Sequence, residues 1–130
     1  MSKLIMFICR IFLGVVFLGA GINGYFVIFG MEPFISTSPQ AMALFEFNYL
    51  LVVEKSIEII CGLLLILNQY IPFNLVILSP IVANIFLLHL FVDPSLLLLA
   101  ILLVITHGYL IFYYRDNFRG LLERSPKPFQ

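Results

Sequence analysis

The chain has 130 residues, of which 62% are hydrophobic and only 11% are charged, and its formal net charge is zero. A soluble domain usually has about 25% charged residues, so this composition excludes a water-soluble globular protein and predicts an integral membrane protein. The zero net charge provides no overall field to attract nucleic acid, and no nucleic-acid partner is expected. The length suits a single domain over residues 1–130.

Four apolar runs predict membrane-spanning helices. Such a helix needs about 20 mostly apolar residues, and the runs cover residues 4–29, 50–67, 71–92 and 95–114. Short polar turns that include Pro72 and Pro94 separate the last three runs, and proline suits the first turn of a helix. The predicted fold is therefore all-α, an integral membrane four-helix bundle with a basic tail over residues 115–130.

The longest connection, residues 30–49, contains prolines and hydroxyl residues that break helical periodicity. Its later part, residues 41–47, is predicted to form a short helix at the membrane interface. Aromatic residues in and around this connection, including Phe34, Phe47 and Tyr49, suit the boundary with the lipid headgroups.

The distribution of charge predicts the orientation. Lys3 and Arg10 lie near the start of the first run and four basic residues follow the fourth run. The two loops on the opposite side contain Glu32, Glu46 and Asp93 but no Lys or Arg. Because cytoplasmic segments are enriched in Lys and Arg, both termini are predicted to be cytoplasmic, in a bacterial inner membrane.

Polar side chains from three predicted helices fall in one layer, the outer half of the bilayer. From the rise of ~1.5 Å per residue, Glu54 and Glu58 lie about 6 and 12 Å below the outer start of the second helix. By the same rise, Asn84 and His89 lie about 12 and 5 Å below the outer end of the third. Asn23 lies near the outer end of the first. Because intramembrane polar groups are usually functional or paired, these five residues are the predicted ligand-binding site.

Glu58 is the predicted centre of this layer. Two carboxylates as close as those of Glu54 and Glu58 resist joint ionisation in an apolar setting, and one of them is expected to hold a proton. Alternatively, the polar groups only bond to one another and fix the helix register. Lys55 could pair with Glu58 or extend outward to the headgroups.

The directions of two site residues weigh against a single narrow pocket. On an ideal helix Asn84 and His89 point roughly 140° apart. They are therefore not expected to face one narrow pocket unless Pro80 distorts the helix.

A second polar layer is predicted on the inner side, with Arg10 in the first helix and His107 in the fourth. Arg10 is expected to extend to anionic lipid headgroups. Gly14, Gly21 and Gly24 lie on the same helical face as Arg10, and these glycines are expected to allow close helix contact.

Cofactor chemistry has little support in the sequence. Cys9 and Cys61 form no Cys-x-x-Cys motif and are predicted to be buried, inert and dispensable thiols. His89 and His107 differ in depth by roughly 13 Å and cannot ligate one haem. No ligand-spacing motif supports a metal bound by His89 and Glu58, so no metal site is predicted. No catalytic residues are identified.

Three stretches together resemble the DoxX-like family of small four-helix membrane proteins. Gly14–Phe26 includes the family's Gly-Ile-Asn pattern, Glu58–Asn68 has Glu-x-x-x-Gly followed by leucines, and Leu78–Phe91 has Pro, Asn-Ile and His in the family's order. The resemblance covers about residues 5–120 and implies a four-helix bundle. Relatives linked to sulfur or thiol oxidation imply quinone as a cofactor and an oxidoreductase subunit as a partner. The wider group implies acidic residues that face a lipid-open cavity, and Glu58 would be the corresponding group.

Three functions remain open from the sequence. The first is a non-catalytic binder of a lipid or lipophilic small molecule, or a scaffold for partner proteins, with membrane lipids and further copies of the chain as partners. The second is a quinone-binding membrane subunit that supports an oxidoreductase, in which Glu58 relays a proton. The third is a small transporter, which requires a polar path from the outer layer to Arg10 and His107.

Overall fold

The structure, a computed structural model, describes residues 2–36, 39–43, 46–125 and 127–128, and within these ranges every regular element is helical. The four long helices begin and end within two residues of the four predicted runs, so the predicted all-α fold is confirmed. The elements in chain order are α1 (Ser2–Ile28), α2 (Pro39–Ala43), α3 (Asn48–Ile66), α4 (Ile71–Phe91), a 3₁₀ turn (Pro94–Leu96), α5 (Leu97–Tyr113) and a 3₁₀ helix (Arg115–Leu122).

Three of the described helical stretches are long and apolar enough to cross a membrane, namely α1, α4 and Pro94–Tyr113. This finding is consistent with a membrane protein. The fourth long helix, α3, has 19 residues and contains Glu54, Lys55 and Glu58. Its placement in a membrane therefore depends on how these charges are compensated.

The most extensive helix contact is that between α1 and α3, and glycines make it. A Cβ on Gly62 of α3 would lie 2.6 Å from the backbone nitrogen of Leu18, and one on Gly14 of α1 would lie 2.9 Å from the Gly62 carbonyl oxygen. A Cβ on Gly21 would lie 2.9 Å from the Lys55 carbonyl oxygen. The two backbones thus touch directly, and the predicted glycine face of α1 is confirmed.

The other helix contacts involve α4 and α5 and enclose an apolar core. Here α5 packs on α1 and α4, and α4 packs on α3 less extensively. An open cleft runs between α3 and α4, lined by Val53 and Ile57 on one side and Ile81 on the other. The core includes fully buried apolar side chains from all four long helices: Leu13, Phe17, Leu65, Leu75, Leu78 and Leu110.

A tight turn fixes α3 against α4. Asn68 and Tyr70 adopt left-handed backbone angles, with φ of 58° and 54°. The buried Asn74 side chain donates through Nδ2 to the Gln69 carbonyl oxygen at 2.9 Å, which pins the turn to the first turn of α4. Because the two helices are antiparallel about this turn, Glu54 and Asn84 lie at nearly the same level.

The short helix in the long connection is displaced from its predicted position. The sequence predicts a helix over residues 41–47, whereas α2 spans Pro39–Ala43, and Glu46 and Phe47 are not helical. Leu44 and Phe45 lie outside the described residues. Proline suits the first helical position because its fixed φ matches the helix and its missing N–H would have no partner there. A helix starting at Pro39 therefore precedes the predicted one.

Candidate functional site

Three charged side chains of α3 form one cluster, which we call the Glu58 cluster. Lys55 Nζ lies 3.1 Å from Glu58 Oε2 and 4.0 Å from Glu54 Oε1. The Glu58 side chain is 1% exposed, whereas those of Lys55 and Glu54 are 18% and 17% exposed. An unpaired buried carboxylate would be strongly destabilising. The structure therefore shows Lys55 paired with Glu58 rather than extended outward.

The position of Lys55 depends on the absence of a side chain at Gly24. A Cβ on Gly24 would overlap Cγ, Cδ and Cε of Lys55, so the lysine stem lies flat across α1 at this point. Next to Gly24, the Tyr25 hydroxyl donates to Ser56 Oγ, which in turn donates to the Val52 carbonyl oxygen. Gly24 and Tyr25 of α1 thus fix the positions of Lys55 and Ser56 of α3.

A cavity of about 600 Å³ lies among the four long helices and the loop after α1. Most of its lining residues are apolar. This volume lies within the ~300–1,000 Å³ usual for small-molecule sites, which combine apolar walls with a few polar groups. The structure brings all five residues of the predicted site to the lining of this one cavity: Asn23, Glu54, Glu58, Asn84 and His89.

Asn23 holds the loop that closes one side of the cavity. Its Nδ2 donates to the Ile35 carbonyl oxygen at 3.1 Å, and its Oδ1 accepts from the Ile35 backbone N–H at 3.0 Å. Phe26, nearly one turn further along α1, packs edge-on against Phe34 of the same loop. Because the nitrogen and the oxygen of the Asn23 side-chain amide are both hydrogen-bonded to Ile35, the role of Asn23 is to position this loop over the cavity.

His89 presents an acceptor nitrogen at the loop end of α4. The residue is 9% exposed, and Nδ1 lies 2.8 Å from the Asp93 carbonyl oxygen. Because a carbonyl oxygen can only accept, Nδ1 carries a proton, and Nε2 is an acceptor whenever the ring is neutral. Among the described residues, Nε2 has no hydrogen-bond partner.

Asn84 and Glu54 separate the main cavity from the cleft between α3 and α4. The cleft is a second cavity of about 290 Å³, and both residues line the two spaces. Asn84 and His89 were not expected to face one narrow pocket. Both line the main cavity because it is wide and extends from the cleft to the loop after α4.

The inner polar layer is occupied by helix-to-helix hydrogen bonds. Arg10 is buried and donates through Nη1 to the carbonyl oxygens of Leu65 and Ile66, the latter at 3.1 Å. These carbonyls end α3, lack helical N–H partners and carry partial negative charge. The expectation that Arg10 extends to lipid headgroups is therefore wrong. His107 Nε2 donates to the Leu75 carbonyl oxygen at 2.9 Å and ties α5 to α4.

Several lining residues were not found by sequence reasoning. Ile35 and Ser36 line the cavity from the loop after α1, and Ser95 lines it from the 3₁₀ turn before α5. Irregular segments have no periodicity, and hydrogen bonds hold them in place: Asn23 bonds to Ile35 twelve residues further on, and His89 bonds to Asp93 in the turn after α4. The one available signal was Asn23 itself, an amide near a helix end that faces a long loop.

Metal-binding and thiol groups are sparse around the cavity. The described part of the chain contains no group of three or more His, Cys, Asp or Glu side chains arranged to hold a metal ion. Cys9 and Cys61 are free thiols, and Cys61 is buried whereas Cys9 is partly exposed. Their predicted dispensability stays a prediction.

No family model matches the chain, and no curated protein or solved structure gives a significant match. The resemblance to the DoxX-like family stays a prediction.

Lys55→Met tests the compensation of Glu58. Methionine keeps an unbranched stem against Gly24 but removes the ammonium group, so Glu58 becomes a buried carboxylate without a counter-charge. The expected loss of unfolding free energy is about 3 kcal/mol, measured by reversible unfolding in mixed detergent micelles. Combining Lys55→Met with Glu58→Gln should restore most of this loss.

Arg119→Met is the matched control, because Arg119 and Asp116 also form an i,i+3 pair, at 3.0 Å, but with side chains 80% and 74% exposed. Removing an exposed pair should change the unfolding free energy by less than about 1 kcal/mol. Equal losses for the Lys55 and Arg119 variants would contradict the compensating role of Lys55.

Proposed function

We propose that this chain is a four-span integral membrane protein that binds a lipid or lipophilic small molecule in the 600 Å³ cavity without catalysing a reaction. The polar head of the ligand would lie at the Glu58 cluster and its apolar part along the aliphatic walls. The observation that carries this proposal is that one cavity unites apolar walls with polar groups from three helices. Such a combination is typical of ligand sites.

The surface of α3 supports its assignment as the fourth span. Glu58 faces the interior and is paired with Lys55, whose stem lies on α1. The side chains that α3 exposes are largely apolar and suit contact with lipid; Val53, Ile60 and Leu63 are each 45–57% exposed. Arg10 also satisfies carbonyls at the C-terminal end of α3, where lipid would offer no partner.

Four spans place both termini on one side of the membrane. The basic residues near both chain ends support a cytoplasmic location for these ends in a bacterial inner membrane. The loop after α1 and the Asp93 turn would then face outward. This orientation puts the Glu58 cluster and His89 in the outer half of the bilayer.

A labelling experiment tests this orientation. In a background with Cys9→Ala and Cys61→Ala, we expect a Ser36→Cys variant to react with a membrane-impermeant maleimide in intact cells. A Ser125→Cys variant should react only after the cells are opened. Labelling of the Ser125→Cys variant in intact cells, with protection of the Ser36→Cys variant, would overturn the orientation.

A binding role accounts for the interior better than a transport path. A transporter would need a polar route from the cavity to Arg10 and His107. On α1, the fully buried Leu13 lies between Arg10 and the cavity, and the fully buried Phe17 forms part of the cavity wall. Arg10 and His107 are themselves bonded to backbone carbonyls of α3 and α4. These contacts support a closed site rather than a pathway.

Gly19→Leu tests ligand binding by filling the cavity. Gly19 lines the cavity, and a Cβ there would meet nothing within 4 Å, so leucine should occupy the space without displacing a helix. Wild-type protein purified in mild detergent should release a lipophilic molecule on organic extraction, detected by mass spectrometry. The Gly19→Leu variant should carry roughly tenfold less of it.

Gly108→Leu is the matched control for this measurement, because Gly108 is also a helical glycine with open space around it but does not line the cavity. It should carry the wild-type amount. Glu58→Gln adds a test of the polar head, since glutamine keeps the shape but removes the charge. A wild-type protein without bound molecule, or equal contents in both leucine variants, would contradict the proposal and favour a scaffold.

A further inference from the structure

We propose that the C-terminal 3₁₀ helix, Arg115–Leu122, forms with Arg124 a docking surface for the headgroups of anionic phospholipids, while Leu121 and Leu122 enter the acyl chains. This surface follows the end of α5, whereas the cavity is lined by residues at the start of α5. It depends on the membrane assignment but not on ligand binding in the cavity.

The 3₁₀ helix has a fixed place at the end of the helical domain. Tyr114 and Phe118 pack against the apolar core, and the Tyr114 hydroxyl lies 3.7 Å from Met6 Sδ of α1. The Asn117 backbone N–H donates to the Tyr114 carbonyl oxygen at 2.9 Å. Because these contacts hold one side of the segment, its other side chains are presented outward in a defined arrangement.

Two leucines at the end of this segment have no apolar cover. Leu121 is 70% exposed, and Leu122, at 83%, is the most exposed large apolar residue in the part of the chain that the structure describes. Both lie beyond the last helix that could cross a membrane, which ends at Tyr113. Insertion into the boundary between headgroups and acyl chains would remove these side chains from water.

Positive charge predominates beside the leucines. Residues 115–128 contain two acidic residues, Asp116 and Glu123, and four basic residues, all exposed: Arg115, Arg119, Arg124 and Lys127. Asp116 pairs with Arg119 at 3.0 Å. Because several basic residues directly after a spanning helix attract anionic lipid, the charge of this segment complements a negatively charged membrane surface better than a neutral one.

Neighbouring residues place this surface at the level of the headgroups. Tyr109 and Tyr113 form an aromatic pair on the last turns of α5, where tyrosine is typical of the membrane interface. The Tyr109 hydroxyl donates to the Ser2 carbonyl oxygen at 3.4 Å, which brings the start of α1 and the exposed Lys3 to the same end of the domain.

A fluorescent reporter within the segment tests the proposal. A Cβ at Gly120 would meet nothing within 4 Å, so Gly120→Cys accepts a nitrobenzoxadiazole label without removing a leucine or an arginine. The full-length chain, with Cys9→Ala and Cys61→Ala, is reconstituted in vesicles of phosphatidylcholine, with or without phosphatidylglycerol. Quenching by a phospholipid with a nitroxide on its acyl chain gives the ratio of inserted to free segment.

We expect this ratio to be several times higher with phosphatidylglycerol, and high salt should remove the difference because it screens exposed charges. Arg115→Gln and Arg124→Gln should each lower the ratio about fivefold in phosphatidylglycerol vesicles, since a basic residue near an anionic surface contributes about that factor. Asn117→Gln is the matched control, an exposed and neutral position of the same helix, and should change nothing.

Each other outcome has a definite meaning. Equal quenching in both kinds of vesicle, or undiminished quenching in both arginine variants, would overturn the recognition of anionic headgroups. A label that stays in water in both vesicles would show that the surface is free for another partner and would also overturn it. Release of the protein from the vesicles by alkaline carbonate would contradict the membrane assignment itself.

Discussion

The direct backbone contact between α1 and α3 is the constraint on which the rest of the structure depends. Gly14 and Gly62 bring the two helices together at one level, and Gly21 continues the contact toward Lys55. This approach lets Arg10 reach the last carbonyls of α3 and lets the Lys55 stem lie across Gly24. Larger side chains on this face would separate the helices and would move Arg10 of α1 away from the carbonyl oxygens of Leu65 and Ile66.

The three ionisable residues of α3 are compensated within the protein. Lys55 covers Glu58 on the inside, Arg10 satisfies the carbonyls at the end of α3, and the outward face of α3 is apolar. Because α3 is held so firmly to α1, its contact with α4 is limited and a cleft remains between them. The cavity is thus a consequence of unequal helix packing. The α3 part of its polar wall consists of Glu54, Lys55 and Glu58.

Features that depend on distance along the chain could be predicted from the sequence. The four long helices follow from apolar run lengths, and the location of Glu54, Glu58, Asn84 and His89 toward the same end of the helices follows from the fixed rise of a helix. The partners of side chains could not be predicted. The sequence allowed Lys55 either direction, because the choice depends on Gly24 of another helix. Arg10 was expected in the lipid headgroups because nothing local shows that the end of α3 lies within its reach.

Substitution of one glycine by alanine tests the α1–α3 contact most directly. A methyl group at Gly62 would lie 2.6 Å from the Leu18 nitrogen, whereas at Gly108 of α5 it would meet nothing within 4 Å. In reversible unfolding, Gly62→Ala should lose about 1–3 kcal/mol of unfolding free energy. Gly108→Ala should be neutral or gain up to about 1 kcal/mol from the higher helix propensity of alanine. A Gly62→Ala protein as stable as the Gly108→Ala protein would contradict the direct backbone contact.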